Sequence, residues 1–369
     1  MPSLKKELSI DKVFLGLTVL LASVGLFVFT SASFGLFARK GLSLKDLFFD
    51  QVGLGFLLGI VLLIVMLNVP LKLLRTYALH IFIGSALLTL LVFVPGIGAE
   101  HGGAKRWLWF KTASFQPSEA LKLGTVIYFA ALLPLFKDRI KTIKYAIGIF
   151  LGVIAMPAVI LLAQPDNGTL AVLFATMCAM LLSSGAKLRH FFILVVIGVF
   201  SVGALTLVSP HVKSRVLTFF DQSRDPQGAS YQIQKSFLAI GSGGITGRGF
   251  GQSIQKFGSL PEPTGDSIFA VVAEEFGFIG GTILIILFVL FGIRGLQIAR
   301  RAPDMWSGLL AVGIVILIVS QSFVNIAAML GVVPLKGIPL IFVSKGGSAL
   351  IFAFLEIGIL LNISKLKRT

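Results

Sequence analysis

Long apolar runs separated by short charged linkers dominate this chain. The runs 13–30, 52–67 and 145–163 contain no charged residue. A helix that crosses the roughly 30 Å hydrocarbon core of a bilayer needs about 20 apolar residues, and lipid cannot satisfy unpaired backbone groups. The alternation over about ten residues that is typical of membrane β-barrels is absent. The pattern therefore predicts an all-α polytopic membrane protein.

Ten transmembrane helices account for the apolar runs, and we expect them to form a single transmembrane domain over residues 1–369. The predicted spans are 13–33, 50–68, 77–95, 118–135, 145–163, 169–184, 190–208, 267–293, 305–330 and 340–362. Two longer connections, 96–117 and 209–266, contain glycine, proline and charged residues, and long connections often carry function. Ile233, Phe237 and Ile240 predict an amphipathic helix in the larger loop, either at the membrane interface or packed as a lid.

Composition supports a membrane protein, and charge gives the expected orientation. Hydrophobic residues make up 56% of the chain and charged residues 13%, against about 25% charged in soluble domains. The short linkers 137–144, 187–189 and 294–301 are basic, so the positive-inside rule predicts that they and both termini are cytoplasmic. Loop 209–266 is then extracytoplasmic. The net charge is +16, and the basic residues flank the spans instead of forming one face. This distribution favours contact with anionic membrane lipids over binding of nucleic acid.

Two candidate groups lie in or beside the fourth span, where ionisable side chains are costly. Glu119 and Lys122 are three residues apart, so they share a helix face and can form an ion pair. That pair is either structural or orients an outer cavity. Arg106 beside Trp107 either anchors the chain at the interface or binds the phosphate of a lipid headgroup.

Further candidates lie in the outer connections. Asp166, in the turn 164–169, either only completes a turn and caps the next helix or belongs to a site. Arg248, in the glycine-rich stretch 241–251, and Lys256 supply positive charge. Asp266 follows two prolines and a glycine at the start of the eighth span. One interpretation is that Asp266 or Ser267 caps the helix. The other is that Asp266 acts as a general base towards a sugar hydroxyl.

The chain is identified from these stretches as a member of the FtsW/RodA/SpoVE (SEDS) family. The similarity covers nearly the whole chain, in the order 106–107, 115–119, 164–169, 221–232, 240–244, 252–270, 274–277 and 334–348. The run 252–256 leading directly into 260–263 resembles the FtsW division branch. Departures from the family pattern occur at Thr264 and Gly265, at Lys345 and within 325–329.

The resemblance implies a peptidoglycan glycosyltransferase that polymerises lipid II onto a polyprenyl-diphosphate-linked glycan. The family's catalytic acidic residue falls on Asp266, and its fourth-span acidic and basic residues fall on Glu119 and Lys122. We expect basic and acidic side chains to bind the substrate and its diphosphate: Arg106, Lys122, Arg248, Lys256, Glu262 and Asp166. A divalent cation, Mg²⁺ or Mn²⁺, is an alternative way to offset the charge of the diphosphate. Elongation or sporulation polymerases, a lipid II flippase and a non-catalytic division scaffold are the alternatives.

The same resemblance implies partners and a location. Family members work with a class B penicillin-binding protein, a transpeptidase, and with other division or elongation proteins. Small residues around Gly281 and Gly313 are candidate faces for such a partner, or pack within the chain. The expected location is the bacterial plasma (inner) membrane, at the division septum.

Overall fold

The computed structural model describes residues 9–40, 55–101, 104–110, 113–221, 229–335 and 337–366. The described chain is mainly helical. Its helices are α1 Lys12–Lys40, α2 Leu58–Met66, α3 Leu71–Thr76, α4 Ala78–Leu90, α5 Ser118–Leu132, α6 Ile143–Ala163, α7 Asn167–Ser183, α8 Leu188–Val208, α9 Pro210–Phe220, α10 Ala229–Gly243, α11 Gln255–Gly258, α12 Ile268–Arg300, α13 Met305–Met329 and α14 Gly347–Ser364. Three strands are β1 Gly98–His101, β2 Ala104–Phe110 and β3 Ala113–Phe115.

Apolar helices lie at all ten predicted places, so the all-α membrane architecture is confirmed. Seven of them (α1, α5, α6, α8, α12, α13 and α14) are long and apolar enough to cross a bilayer. The other three places hold shorter apolar helices, Gly55–Met66, Ala78–Phe93 and Asn167–Ser183. The first residues of the predicted second span, 50–54, lie outside the described residues. The described helices are consistent with ten crossings.

The loop 96–117 contains a small antiparallel sheet that the helical pattern did not predict. Strand β2 lies between β1 and β3, and the register pairs Gly98 with Leu108 and Leu108 with Phe115. Leu108 is buried while Trp109 is 62% exposed, as the alternation of side chains along a strand requires. The sheet places Arg106 in its central strand.

The predicted tenth span is wrong at its start. Helix α14 begins at Gly347, and residues 337–346 form an irregular segment. Leu340, Ile341 and Val343 in this segment are nevertheless buried, so their apolar character reflects burial in protein and not a helix. Phe342 has a φ of 69°, a conformation that a regular helix cannot contain. We call residues 337–346 the clamp segment.

Helix α12 is interrupted at Gly277, where φ is 66° and ψ is −164°. The glycine-rich stretch supplies partners there, because the amide of Phe278 donates to the carbonyl of Gly244 at 2.9 Å. A Cβ on Gly247 would lie 2.5 Å from the carbonyl carbon of Glu275. The glycines of this stretch therefore allow the chain to approach the backbone of α12 closely.

The core is shared by most of the helices, with α13 packed against α5, α7, α12 and α14. A Cβ on Gly313 would lie 2.5 Å from Val126 and 2.7 Å from the sulfur of Met180. Gly313 therefore serves packing within the chain and not a partner face. Gly281 likewise faces its own neighbour, Phe269.

The predicted loop 209–266 contains helices α9, α10 and α11, and its residues 222–228 lie outside the described residues. The predicted amphipathic helix is present as α10, which packs on α12. Ile233 is buried and Phe237 is half-exposed. This packing agrees with the lid interpretation, and it places α10 over the start of α12.

Candidate active site

Asp266 lies in a tight turn that leads into α12. The carbonyl of Glu262 accepts hydrogen bonds from the amides of Gly265, at 3.0 Å, and Ser267, at 3.2 Å. Pro261 and Pro263 restrict the backbone on either side, and Glu262 itself has a φ of 44°. A non-glycine residue in this region persists only where its surroundings hold it. The turn is therefore held in one conformation.

The clamp segment and α13 hold this turn from a second direction. The Ser344 hydroxyl donates to the carbonyl of Gly265 at 2.8 Å, and the Lys345 amide donates to the carbonyl of Thr264 at 2.6 Å. Asn325 Nδ2 donates to the carbonyl of Asp266 at 2.9 Å and to that of Ile338 at 2.7 Å. Asn325 thus ties the backbone of Asp266 to the clamp segment.

The structure does not support the capping alternative for Asp266 or Ser267. Ser267 occupies the N-cap position of α12 but makes no side-chain cap hydrogen bond, and its hydroxyl accepts from Gln232 Nε2 at 2.9 Å. The carboxylate of Asp266 instead faces a small cleft. A Cβ on Gly337 would lie 3.2 Å from Asp266 Oδ2, so a larger residue at 337 would crowd this oxygen.

Burial is the largest cause that raises the pKa of Asp266, to about 6, and the neighbouring Glu262 carboxylate contributes in the same direction. The positive charges of Arg215 and Arg106 act in the opposite direction. Burial outweighs the two cations, so the net direction of the pKa shift is upward. At pH 7 the carboxylate is still mainly ionised.

Arg215 is a site residue that the sequence reasoning missed. It lies on α9, half-buried, and burial together with the charge of Arg106 lowers its pKa, whereas Asp166 and Asp266 raise it. These mutual influences place two guanidinium groups near two carboxylates. The available signal was a basic residue in the amphipathic stretch 210–220, directly after a span, where one face of a helix packs on protein.

Arg106 reaches the same region from β2. Its Nε donates to the carbonyl of Gln164 at 3.1 Å, and its Nη2 donates to the carbonyl of Pro165. The predicted capping by Asp166 is confirmed, since its carboxylate accepts from the amide of Thr169 at 3.2 Å and from the Thr169 hydroxyl at 2.8 Å. The turn 164–169 is therefore both a helix cap and a support for Arg106.

Lys256 departs from the predicted diphosphate-binding role because protein encloses it, whereas the Arg248 side chain is 38% exposed and its role stays a prediction. Lys256 is fully buried and pairs with Glu275. Arg248 Nε lies 3.7 Å from Glu274. Glu274 also accepts from the Ser253 hydroxyl at 2.6 Å. The contacts of Ser253 with Glu274 and of Lys256 with Glu275 fasten residues 251–258 to α12 and leave Lys256 enclosed by protein.

Glu119 and Lys122 form the predicted ion pair, with 2.8 Å between Glu119 Oε2 and Lys122 Nζ. Both are buried in α5. Lys122 also donates to Gln321 Oε1, and Gln321 Nε2 donates to the carbonyl of Pro339 at 3.4 Å. The pair therefore contacts α13, which in turn contacts the clamp segment. Its role in chemistry stays a prediction.

A divalent cation would find two neighbouring carboxylates here, Asp266 and Glu262, which repel each other as charged groups. Oxygen donors of this type suit Mg²⁺ and Mn²⁺. Among the described residues no group of three or more His, Cys, Asp or Glu side chains is placed to hold a metal ion. The cation therefore stays a prediction with two protein ligands.

Known proteins match this chain over almost its full length. A profile of the family described as "Cell cycle protein" (FtsW/RodA/SpoVE) matches residues 11–369. The stage V sporulation protein E of Bacillus subtilis strain 168 is 35% identical over 364 residues, covering 98% of this chain and 99% of that protein. The probable peptidoglycan glycosyltransferase FtsW of Escherichia coli O6:H1 is 36% identical over 357 residues, covering 96% and 85%.

Solved structures share the fold. A chain from a peptidoglycan synthase complex, described as coordinating polymerization and crosslinking, has a TM-score of 0.78 at 26% identity and covers 97% of this chain and 98% of that chain. The rod shape-determining protein RodA of Thermus thermophilus has a TM-score of 0.69 at 26% identity and covers 97% of each chain. The chain therefore belongs to the FtsW/RodA/SpoVE family of cell cycle proteins.

Proposed function

We propose that this protein is a peptidoglycan glycosyltransferase that polymerises lipid II at the outer face of the bacterial plasma membrane. The observation that carries the proposal is the Asp266 carboxylate, held in a rigid turn and influenced by Arg106 and Arg215. Relatives named as probable peptidoglycan glycosyltransferases support the same reaction. Both termini would then be cytoplasmic.

In this mechanism Asp266 acts as a general base. Its carboxylate takes the proton from the acceptor sugar hydroxyl, and the oxygen attacks the anomeric carbon of the donor. The bond between that carbon and the diphosphate oxygen breaks, its electron pair leaves with the diphosphate, and the configuration inverts. Asp266 then releases the proton to water. A base is most effective with a pKa near the working pH.

Arg106 and Arg215 would offset the negative charge that develops on the departing diphosphate. The hydrogen bonds from Arg106 to the turn 164–169 orient its guanidinium in advance, so little reorganisation is needed during the reaction. A divalent cation held by Asp266 and Glu262 would supply further charge compensation. Lys256 is left out of this role because it is enclosed with Glu275.

A lipid II flippase is the second candidate, favoured by the interruption of α12 at Gly277. Transporters often place substrates at broken helices near the middle of the membrane. Here the break is occupied by backbone contacts with Gly244 and Gly247, and the charged candidates cluster in outer loops. A catalytic site agrees better with this arrangement.

We further propose a role in cell division with a class B penicillin-binding protein as partner. The similarity of 252–263 to the FtsW branch supports division, and the solved peptidoglycan synthase complex supports a crosslinking partner. Sporulation and elongation are the alternatives, since a sporulation protein is 35% identical to this chain. The division role predicts enrichment at the septum.

The direct test uses purified protein in vesicles with lipid II. We expect glycan polymer of many disaccharide units on gels. The polymer should form both with and without the partner, and the rate should be lower without it. Movement of fluorescent lipid II between leaflets without any polymer would favour the flippase. Absence of both activities, even with the partner present, would favour the scaffold.

A further inference from the structure

An apolar groove of about 450 Å³ lies between the outer halves of α4 and α6. Small-molecule sites commonly occupy about 300–1,000 Å³. Residues lining the groove include Ala86, Leu87, Leu90, Ala155, Val159 and Ile160. The two alanines leave room between the helices, while Val159 is 70% and Leu87 is 59% exposed. Since both helices are apolar and at predicted spans, the groove opens towards lipid.

The outer end of this groove meets the turn that supports Arg106. Gln164 Nε2 donates to the carbonyl of Thr89 at 3.1 Å, which joins the ends of α4 and α6. Ile160 lines the groove four residues before Gln164, a distance of roughly 6 Å along a helix at 1.5 Å per residue. The Gln164 carbonyl in turn accepts from Arg106.

The charge at this end suits an anion on a lipid tail. Arg106 and Arg215 approach each other closely enough for the charge of one to act on the other, and guanidinium groups bind phosphate oxygens in pairs. A hydrocarbon groove that ends at two arginines matches a long apolar chain with a phosphate-containing headgroup.

We propose that the groove between α4 and α6 holds the polyprenyl chain of a diphosphate-linked sugar substrate, with its diphosphate towards Arg106 and Arg215. This inference rests on the proposed function for the identity of the lipid. It adds a binding site for the lipid and a determinant of the preferred length of the polyprenyl chain, neither of which the chemistry around Asp266 requires. The competing occupant is the acyl chain of an ordinary phospholipid.

Photocrosslinking tests the occupant without any turnover. The probe is a polyprenyl diphosphate with a photoreactive group within its chain, added to the full-length protein in phospholipid vesicles. We expect labels on α4 and α6, and competition by unlabelled polyprenyl diphosphate. Labels on other helices would overturn the inference. Equal labelling by a photoreactive phospholipid, without competition by polyprenyl diphosphate, would also overturn it.

A bulky substitution gives the matched functional test. Ala155→Phe fills the groove from an exposed position, and Ala204→Phe makes the same change at an exposed position of α8. We expect Ala155→Phe to reduce labelling and raise the KM for lipid II by about tenfold, with kcat nearly unchanged, and Ala204→Phe to alter neither. A lipid II analogue with a shortened chain should narrow the difference between Ala155→Phe and the native protein.

The two proposals fail separately. Polymerisation with unchanged KM and labelling in Ala155→Phe would reject the groove and leave the glycosyltransferase standing. Labelling of α4 and α6 that Ala155→Phe abolishes, in a protein that makes no glycan, would support the groove and reject the proposed reaction.

Discussion

At the scale of single residues, Asp266 is subject to opposing influences on its charge. Burial and the Glu262 carboxylate favour the protonated form, and two arginines favour the ionised form. The resulting pKa of about 6 keeps the group ionised at neutral pH. It also leaves the carboxylate more basic than an ordinary aspartate, which suits a group that must accept a proton.

This pKa predicts the pH dependence of polymerisation. The base must be ionised, so kcat/KM should fall as the pH drops through about 6, by about tenfold per pH unit below that value. The measurement is the initial rate of glycan formation from pH 4.5 to 8.5, with thermal unfolding followed in parallel. A rate that stays constant down to pH 4.5 would contradict the assignment.

Asn325 is predicted to be a positioning residue for Asp266. Asn325→Ala removes both bonds to the carbonyls of Asp266 and Ile338, and a displacement of about 1 Å at a reacting group can lower a rate about 100-fold. We expect kcat to fall by about 10- to 100-fold, the KM to stay within about threefold, and the pH midpoint to move.

Ser320→Ala is the control on the same helix, because Ser320 bonds only locally to the carbonyl of Leu317. It should leave kcat and the pH midpoint unchanged. If Asn325→Ala alters only thermal stability and keeps native kinetics, Asn325 has a structural role alone.

At the scale of elements, the buried pair of Lys256 and Glu275 joins α11 to α12. Lys256→Met leaves Glu275 as an uncompensated buried charge, so the free energy of unfolding should fall by about 3–5 kcal/mol. The double variant Lys256→Met with Glu275→Gln should lose less of the free energy of unfolding. The control Lys213→Met, at an exposed position, should lose little of it. Thermal unfolding in detergent measures this order. A stable Lys256→Met protein with a raised KM would instead restore Lys256 to the substrate site.

The long helices were predictable because apolar length is a strong signal in a membrane protein. The ion pair of Glu119 and Lys122 and the cap at Asp166 were also predictable, since both depend on spacing along one helix. The prediction of the protein's function and of the importance of Asp266 depended on the order and spacing of sequence motifs and not on hydropathy.

The remaining elements depend on contacts between distant parts of the chain. Residues 340–343 are as apolar as a span but are buried in an irregular segment, and hydropathy cannot separate these cases. The strands β1 to β3 are too short for a clear alternation. Arg215 and Asn325 gain their importance only when α9 and α13 pack beside Asp266, and Lys256 loses its predicted role through its pairing with Glu275.

At the scale of the whole molecule, the orientation predicts which surfaces water-soluble reagents can reach. Ser214, on α9, and Thr142, before α6, are both exposed, and the native Cys178 is buried. An impermeant thiol reagent should label Ser214→Cys in intact cells and label Thr142→Cys only after the membrane is opened. The reverse pattern would invert the orientation and place Asp266 inside the cell.

The whole molecule brings three separate parts of the chain to one site. Strand β2 with the turn 164–169 supplies Arg106, α9 supplies Arg215, and the turn before α12 supplies Asp266. The clamp segment and α13 fix the last of these. The central claim is that this assembly uses Asp266 as its base.

The most direct test of that claim is polymerisation of lipid II by Asp266→Asn. Asparagine keeps the size of the side chain and removes the basic oxygen. Because burial makes the charged form costly in the folded protein, Asp266→Asn should have a thermal stability equal to or above that of the native protein. General-base assistance is worth about 10²- to 10⁴-fold in rate, so we predict a folded protein that makes no detectable glycan polymer. Polymerisation by Asp266→Asn near the native rate would contradict the account.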